Sequence, residues 1–192
     1  MSLRVLGIDP GLTRCGIGVI DVASNREAQL VHFGVLRSEA NAEIEARLLT
    51  ISRGIEDVLD THAPHAVAVE RVFAQHNLRT VMGTAQVSGI ALAAAARRGL
   101  RVGHHTPSEV KAAITGYGSA DKKQVATMVA RVLRLESPPT PADAADALAL
   151  ALCHAWRIGS RVTPAGTAAE TPAQRAWQDA ERASRKRSAP RA

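Results

Sequence analysis

Residues 4–22 read RVLGIDPGLTRCGIGVIDV. Residues 4–8 are a short apolar run of strand-forming residues, stopped by Asp9-Pro10-Gly11. Residues 15–22 are a second run, rich in Val, Ile and Gly. Two such runs around a Pro-Gly turn predict a β-hairpin, with Asp9 left where the first strand ends. Residues 29–37 read as a third strand. Ile44, Leu48, Leu49, Ile51, Ile55, Val58 and Leu59 then recur at helical spacing, predicting an amphipathic helix up to about Thr61. A compact strand over 66–70 ends on Glu70. An Ala-rich helix over 78–98 is closed by Gly99, and 101–105 reads as a fifth strand. Helices are expected over 107–114, 121–133 and 142–156, with Gly116-Tyr117-Gly118-Ser119 as a loop and Ser137-Pro138-Pro139-Thr140-Pro141 as a break. Strands joined by short turns run antiparallel, whereas strands joined through helices run parallel. The pattern is therefore α/β, with a mixed sheet of about five strands, three antiparallel and then parallel.

The chain has 192 residues and 46% hydrophobic content, enough for one sizeable core but not for two ordinary domains with linkers. A folded domain over 1–158 and a basic tail over 159–192 are expected. The tail is rich in Ala, Arg, Thr, Pro and Ser and has too little apolar surface to order itself, which predicts disorder. The net charge of +6 favours a polyanionic partner. Residues 159–192 hold seven basic side chains against three acids, so the body is only mildly basic and any anion groove in it must come from local placement of charge. Cys15 and Cys153 have no metal-ligand spacing and read as reduced, buried small hydrophobes. No leader pattern opens the chain, and no apolar run reaches the ~18 residues of a membrane span. A cytoplasmic protein is expected.

Four acids carry the chemistry. Asp9 and Glu70 each conclude an apolar strand, where a carboxylate wants solvent, a cation or a metal. Asp143 and Asp146 stand three apart in Ala-Asp-Ala-Ala-Asp-Ala-Leu-Ala, on one face of a helix about one turn apart. Each has a plain alternative: strand-end acids are often simply solvated, and first-turn acids offset the helix dipole. Together, without His or Cys, they suit hard Mg²⁺ or Mn²⁺ over zinc. Two such ions can activate an attacking water, stabilise a leaving oxygen and clamp a phosphate for in-line displacement.

In Gly7-Ile8-Asp9-Pro10-Gly11, Val69-Glu70-Arg71-Val72-Phe73 and the Asp143/Asp146 stretch, the sequence resembles the RuvC family of Holliday-junction endonucleases. The likeness continues through Gly83-Thr84-Ala85-Gln86, Pro107-Ser108-Glu109-Val110-Lys111 and Gly118-Ser119-Ala120-Asp121-Lys122, so it spans nearly all of residues 3–156. This resemblance implies an RNase H-like fold with helices on both sheet faces. It also implies a homodimer that resolves four-way junction DNA in recombination and repair by paired symmetric nicks. Asp9, Glu70, Asp143 and Asp146 would be the catalytic and metal-binding residues, with two Mg²⁺ ions per site and Mn²⁺ able to substitute. Phe73 would lie near the crossover, Lys111 and Lys122 would contact DNA near the cut, and the RuvA and RuvB branch-migration proteins would be partners.

Lys111, Lys122 and Lys123 are three of only four lysines, and all flank the Gly-rich loop, which points to phosphate contact, although a surface Lys is usually just solvated. Phe73 and Tyr117 fall in predicted loops, where aromatics can stack on bases, although burial is the commoner fate of an aromatic. His76, in the loop after Phe73, could reach DNA, although a solvated loop histidine is the commoner case. His104 and His105 point to opposite faces of a strand and make no ligand pair. Two other readings compete. Actin-like sugar kinases and chaperone ATPases open with a similar Asp-x-Gly turn but need a second domain and phosphate loop, neither visible here. A DNA-binding module with merely solvated acids predicts binding without cutting.

Overall fold

The computed structural model describes residues 2–71 and 78–162. Five strands form one sheet in the order β3-β2-β1-β4-β5: β1 (Leu3–Asp9), β2 (Arg14–Val22), β3 (Ala28–Arg37), β4 (Ala66–Glu70) and β5 (Arg101–His105). β1 pairs antiparallel with β2, β2 antiparallel with β3, and β1–β4 and β4–β5 are parallel, as the connection lengths required. Around the sheet stand α1 (Ile44–His62), α2 (Leu78–Arg97), α3 (Pro107–Thr115), α4 (Lys122–Val132) and α5 (Ala142–Val162). The last helix continues past Gly159, where the sequence periodicity fades. Phe73 and His76 lie outside the described residues, as do residues 163–192.

Strand alternation divides the core in two. Leu6, Ile8, Ile17, Val19, Val67 and Val69 face α1 and α2, while Val5, Ile20, Val22 and Ala68 face α3, α4 and α5. α1 closes its side with Ile51, Ile55, Val58 and Leu59, one stripe at i, i+4, i+7 and i+8. Removing Ile55, which is fully buried, to Ala should cost about 2–5 kcal/mol. On the other side α5 lies against the sheet backbone itself, for a Cβ on Gly7 would fall 2.0 Å from the Ala147 carbonyl oxygen. Side chains usually hold a helix well off a sheet; here glycine removes that spacer. Cys15 and Cys153 are free and buried, and burial pushes their thiols up to about 12 and about 11, so both are inert. Among the described residues no helix is long and apolar enough to cross a membrane.

Candidate active site

The parallel register sets Ile8 beside Val69, so the next residues, Asp9 and Glu70, close adjacent strands at the sheet's carboxyl edge. Such edges are where open α/β sheets receive ligands. Asp9 shares its strand face with Val5 and Gly7, and Glu70 shares its face with Ala68, so both project toward the α5 side. Antiparallel pairing sets Gly16 opposite Asp9. The first turn of α5 passes directly over that glycine: a Cβ there would meet the Asp143 carbonyl oxygen at 2.0 Å and Asp9 Cβ at 3.2 Å. This contact delivers Asp143 and Asp146, more than 130 positions along the chain, to Asp9.

Asp9, Glu70 and Asp146 line a cleft of about 120 Å³ with Lys111 and Lys122. Lys122 Nζ donates to Asp146 Oδ2 at 2.9 Å, and Arg14 Nε donates to Asp143 Oδ2 at 2.6 Å. Burial pushes the Asp9 carboxyl up to about 7, and Glu70, Asp146 and Asp143 push in the same direction while Lys122 opposes them. Burial also raises Glu70, with Asp146 adding and Lys122 opposing. The Lys122 ammonium is raised by its hydrogen bond to Asp146. A carboxyl that burial and neighbouring acids make hold its proton near neutrality marks a site short of positive charge, which a divalent cation would supply. All the donors are hard oxygens, which fits Mg²⁺ or Mn²⁺. Among the described residues no three His, Cys, Asp or Glu side chains form a ready-made cage. Mg²⁺ needs none, since it keeps several waters and binds through one or two carboxylates plus substrate phosphate.

The expected DNA-contacting lysines divide. Lys111 and Lys122 line the cleft with the acids, whereas Lys123 lines a separate groove with Tyr117, Gln124 and Arg131. α3, which carries Lys111, is fixed by a capping box: the Thr106 hydroxyl accepts from Glu109 N at 3.2 Å, and Glu109 Oε2 accepts from Thr106 N at 2.8 Å. Arg157 of α5 donates to Glu109 Oε1 at 3.0 Å, and that carboxyl is held down at about 2, chiefly by the backbone hydrogen bond from Thr106. α4 has a second capping box between Asp121 and Gln124, which offsets the unfavourable placing of Lys122 at its start. His104 is exposed and His105 buried, facing opposite ways as alternation demands. The sequence reading missed Arg14, which carries no motif signal, and also missed that His105 meets His154 of α5, Nε2 to Nδ1 at 2.9 Å.

Residues 5–154 match the family described as crossover junction endodeoxyribonuclease RuvC. A protein of that name from Leifsonia xyli subsp. xyli is 62% identical over 204 residues, covering 100% of this chain and 98% of the relative. One from Thermobifida fusca is 68% identical over 155 residues, 81% of this chain and 85% of the relative. The solved structure of T. thermophilus RuvC in complex with Holliday junction substrate is 36% identical, with a TM-score of 0.79 over 83% of this chain and 96% of that one.

Proposed function

The chain belongs to the RuvC family, and from that kinship we propose that it is a metal-dependent endodeoxyribonuclease resolving four-way DNA junctions by paired symmetric nicks in two opposing strands. The reading rests above all on Asp9, Glu70 and Asp146 lining one cleft from two strands and one helix, with Asp143 a turn away on α5 against Arg14 and the Asp9 carboxyl pushed up to about 7. These four would hold Mg²⁺, two ions per site, with Mn²⁺ able to substitute. Divalent cations so placed supply charge to the scissile phosphate and make the attacking water more acidic.

The chain's own groups do the rest. Asp9 and Glu70 sit on strand ends paired into the sheet, so their carboxylates are pre-positioned and lose little freedom when a cation arrives. Lys111 and Lys122 line the same cleft and can meet phosphate oxygens beside the cut. Lys122 already neutralises Asp146 and keeps the crowded acids tolerable until substrate and metal enter. Lys123, in the neighbouring groove, would contact DNA farther from the cut, and Phe73 would stack near the crossover.

Two opposed nicks call for two active sites, hence a homodimer. On α2 the small residues Ala85, Gly89, Ala93 and Ala96 fall on an exposed stripe at i, i+4, i+8 and i+11, a surface two helices can share closely. Residues 1–158 would be the nuclease domain and 159–192 a basic tail. RuvA and RuvB would be its partners, in the cytoplasm.

The test is incubation with a mobile four-way junction, a plain duplex and an RNA/DNA hybrid, with Mg²⁺ and with chelator. Junction cleavage that requires the metal is expected. Preference for the hybrid would sink the resolvase reading while sparing the metal site, and binding without cutting would favour a DNA-binding module.

A further inference from the structure

On the opposite sheet face from the Lys111–Lys122 cleft, the β1–β2 turn, α1 and α2 enclose a second groove of about 390 Å³ lined by Thr13, Arg14, Arg47, Gly83 and Thr84. Arg47 sits just past the first turn of α1, where its charge opposes the positive end of the helix. Its guanidinium is nevertheless tightly held: Nη2 donates to Thr13 Oγ1 at 2.7 Å and Nε to Ser38 Oγ at 3.1 Å. Ser38 is buried and anchored in turn, its Oγ donating to the Leu12 carbonyl at 2.6 Å and its N to the Thr13 carbonyl at 3.2 Å.

Both of those Arg47 contacts are hydroxyls. None of the ion pairs among the described residues includes Arg47, whereas Arg4, Arg97, Arg98, Arg134 and Arg157 each meet a carboxylate. A guanidinium has five N–H donors, and these two bonds use two of them. The side chain is thus a fixed, half-buried cation whose charge is not cancelled. Arg14, on the same groove, reaches Asp143 with Nη2 at 2.5 Å and so connects the groove to the carboxylates.

We propose that this groove is a phosphate subsite for the polynucleotide backbone, with Arg47 as its principal cation. The substrate strand then crosses the sheet's carboxyl edge between two cationic flanks, Arg47 and Arg14 on one side of the cut and Lys111 and Lys122 on the other. In a body of low net charge, that arrangement supplies the local placement an anion path needs. The subsite rests on the junction-nuclease reading above.

The experiment compares junction binding by the full chain and by Arg47→Gln, without divalent metal, as salt rises from about 50 to 200 mM. One lost phosphate contact makes the salt dependence shallower, so across that window the wild type should lose about three- to fourfold more affinity than the variant. Arg47→Lys, which restores the charge without the fork, should recover most of the slope. Single methylphosphonates are then placed at each phosphate flanking the cut. One or two on one side should weaken the wild type and leave Arg47→Gln indifferent, and the positions that couple to Lys111→Gln should lie on the other side. Equal affinity and salt slope for Arg47→Gln, or the same methylphosphonate profile in both proteins, overturns the subsite. A wild-type chain that does not bind the junction overturns the functional reading and the subsite with it.

Discussion

A Cβ on Gly16 would lie 2.0 Å from the carbonyl oxygen of Asp143. The clash is with backbone, so no rotamer change relieves it; either α5 lifts or β2 bends. Because α5 carries two of the four acids, Gly16→Ala should cost about 1–3 kcal/mol of stability. It should also lower cleavage by about a hundredfold, the scale expected when catalytic groups move by an ångström. Thermal melts and junction cleavage on one preparation check both, and a folded Gly16→Ala cutting at the wild-type rate would show that the close approach does not place the acids.

Asp9→Asn, Glu70→Gln, Asp143→Asn and Asp146→Asn should each lower cleavage by at least about a hundredfold, since a lost metal ligand removes several kcal/mol of charge stabilisation. Junction binding should survive in all four. Gel shifts in chelator beside cleavage in Mg²⁺ separate the two effects, and an active Asp146→Asn would remove that residue from the site.

Burial of Asp9, with the neighbouring acids adding to it, sets the pH behaviour of the metal-free chain. The folded-state carboxyl of Asp9 is raised from 3.8 to about 7, so the folded chain binds its proton more tightly than the unfolded chain does. The stabilisation from that proton is fully present below the unfolded value and is lost as pH rises toward 7. Asp9→Asn should therefore be more stable than the wild type at pH 8 without metal, with the advantage vanishing near pH 4. Mg²⁺ should raise the wild-type Tm more than the variant's. Melts at four or five pH values, each with and without Mg²⁺, decide it; an advantage independent of pH would contradict the assignment.

His105 works in the opposite direction. Burial, then His154 and Arg157, lower its folded-state pKa from 6.5 to about 4, so the unfolded chain takes up a proton first. Its contribution is whole above pH 6.5 and falls away as pH drops toward 4. His105→Asn gives up the 2.9 Å bond to His154 and should be less stable at pH 7, but its stability should decline less between pH 6.5 and 4. Urea titrations of both proteins across that interval are the measure, and parallel pH curves would refute the account.

How much of this was legible beforehand differs residue by residue. Asp9 and Glu70 could be placed because each ends an apolar run, and strand ends are written in local pattern. Asp143 and Asp146 could be put on one helical face by spacing alone. Arg14 and Arg47 could not be distinguished from ordinary surface arginines, because their partners, Asp143 and the hydroxyls of Thr13 and Ser38, are distant in sequence. The same holds for the pairing of His105 with His154.

By itself the sequence determined the five strands, their mixed directions, the helices that separate them and the residue types at the site, since periodicity and turn chemistry act over a few neighbours. Only the tertiary structure decided that Asp9, Glu70 and Asp146 share one cleft, with Asp143 beside it against Arg14. Their convergence depends on how closely α5 can lie on β1 and β2, and hence on the missing side chains of Gly7 and Gly16, whose steric room exists only against a helix more than a hundred residues away.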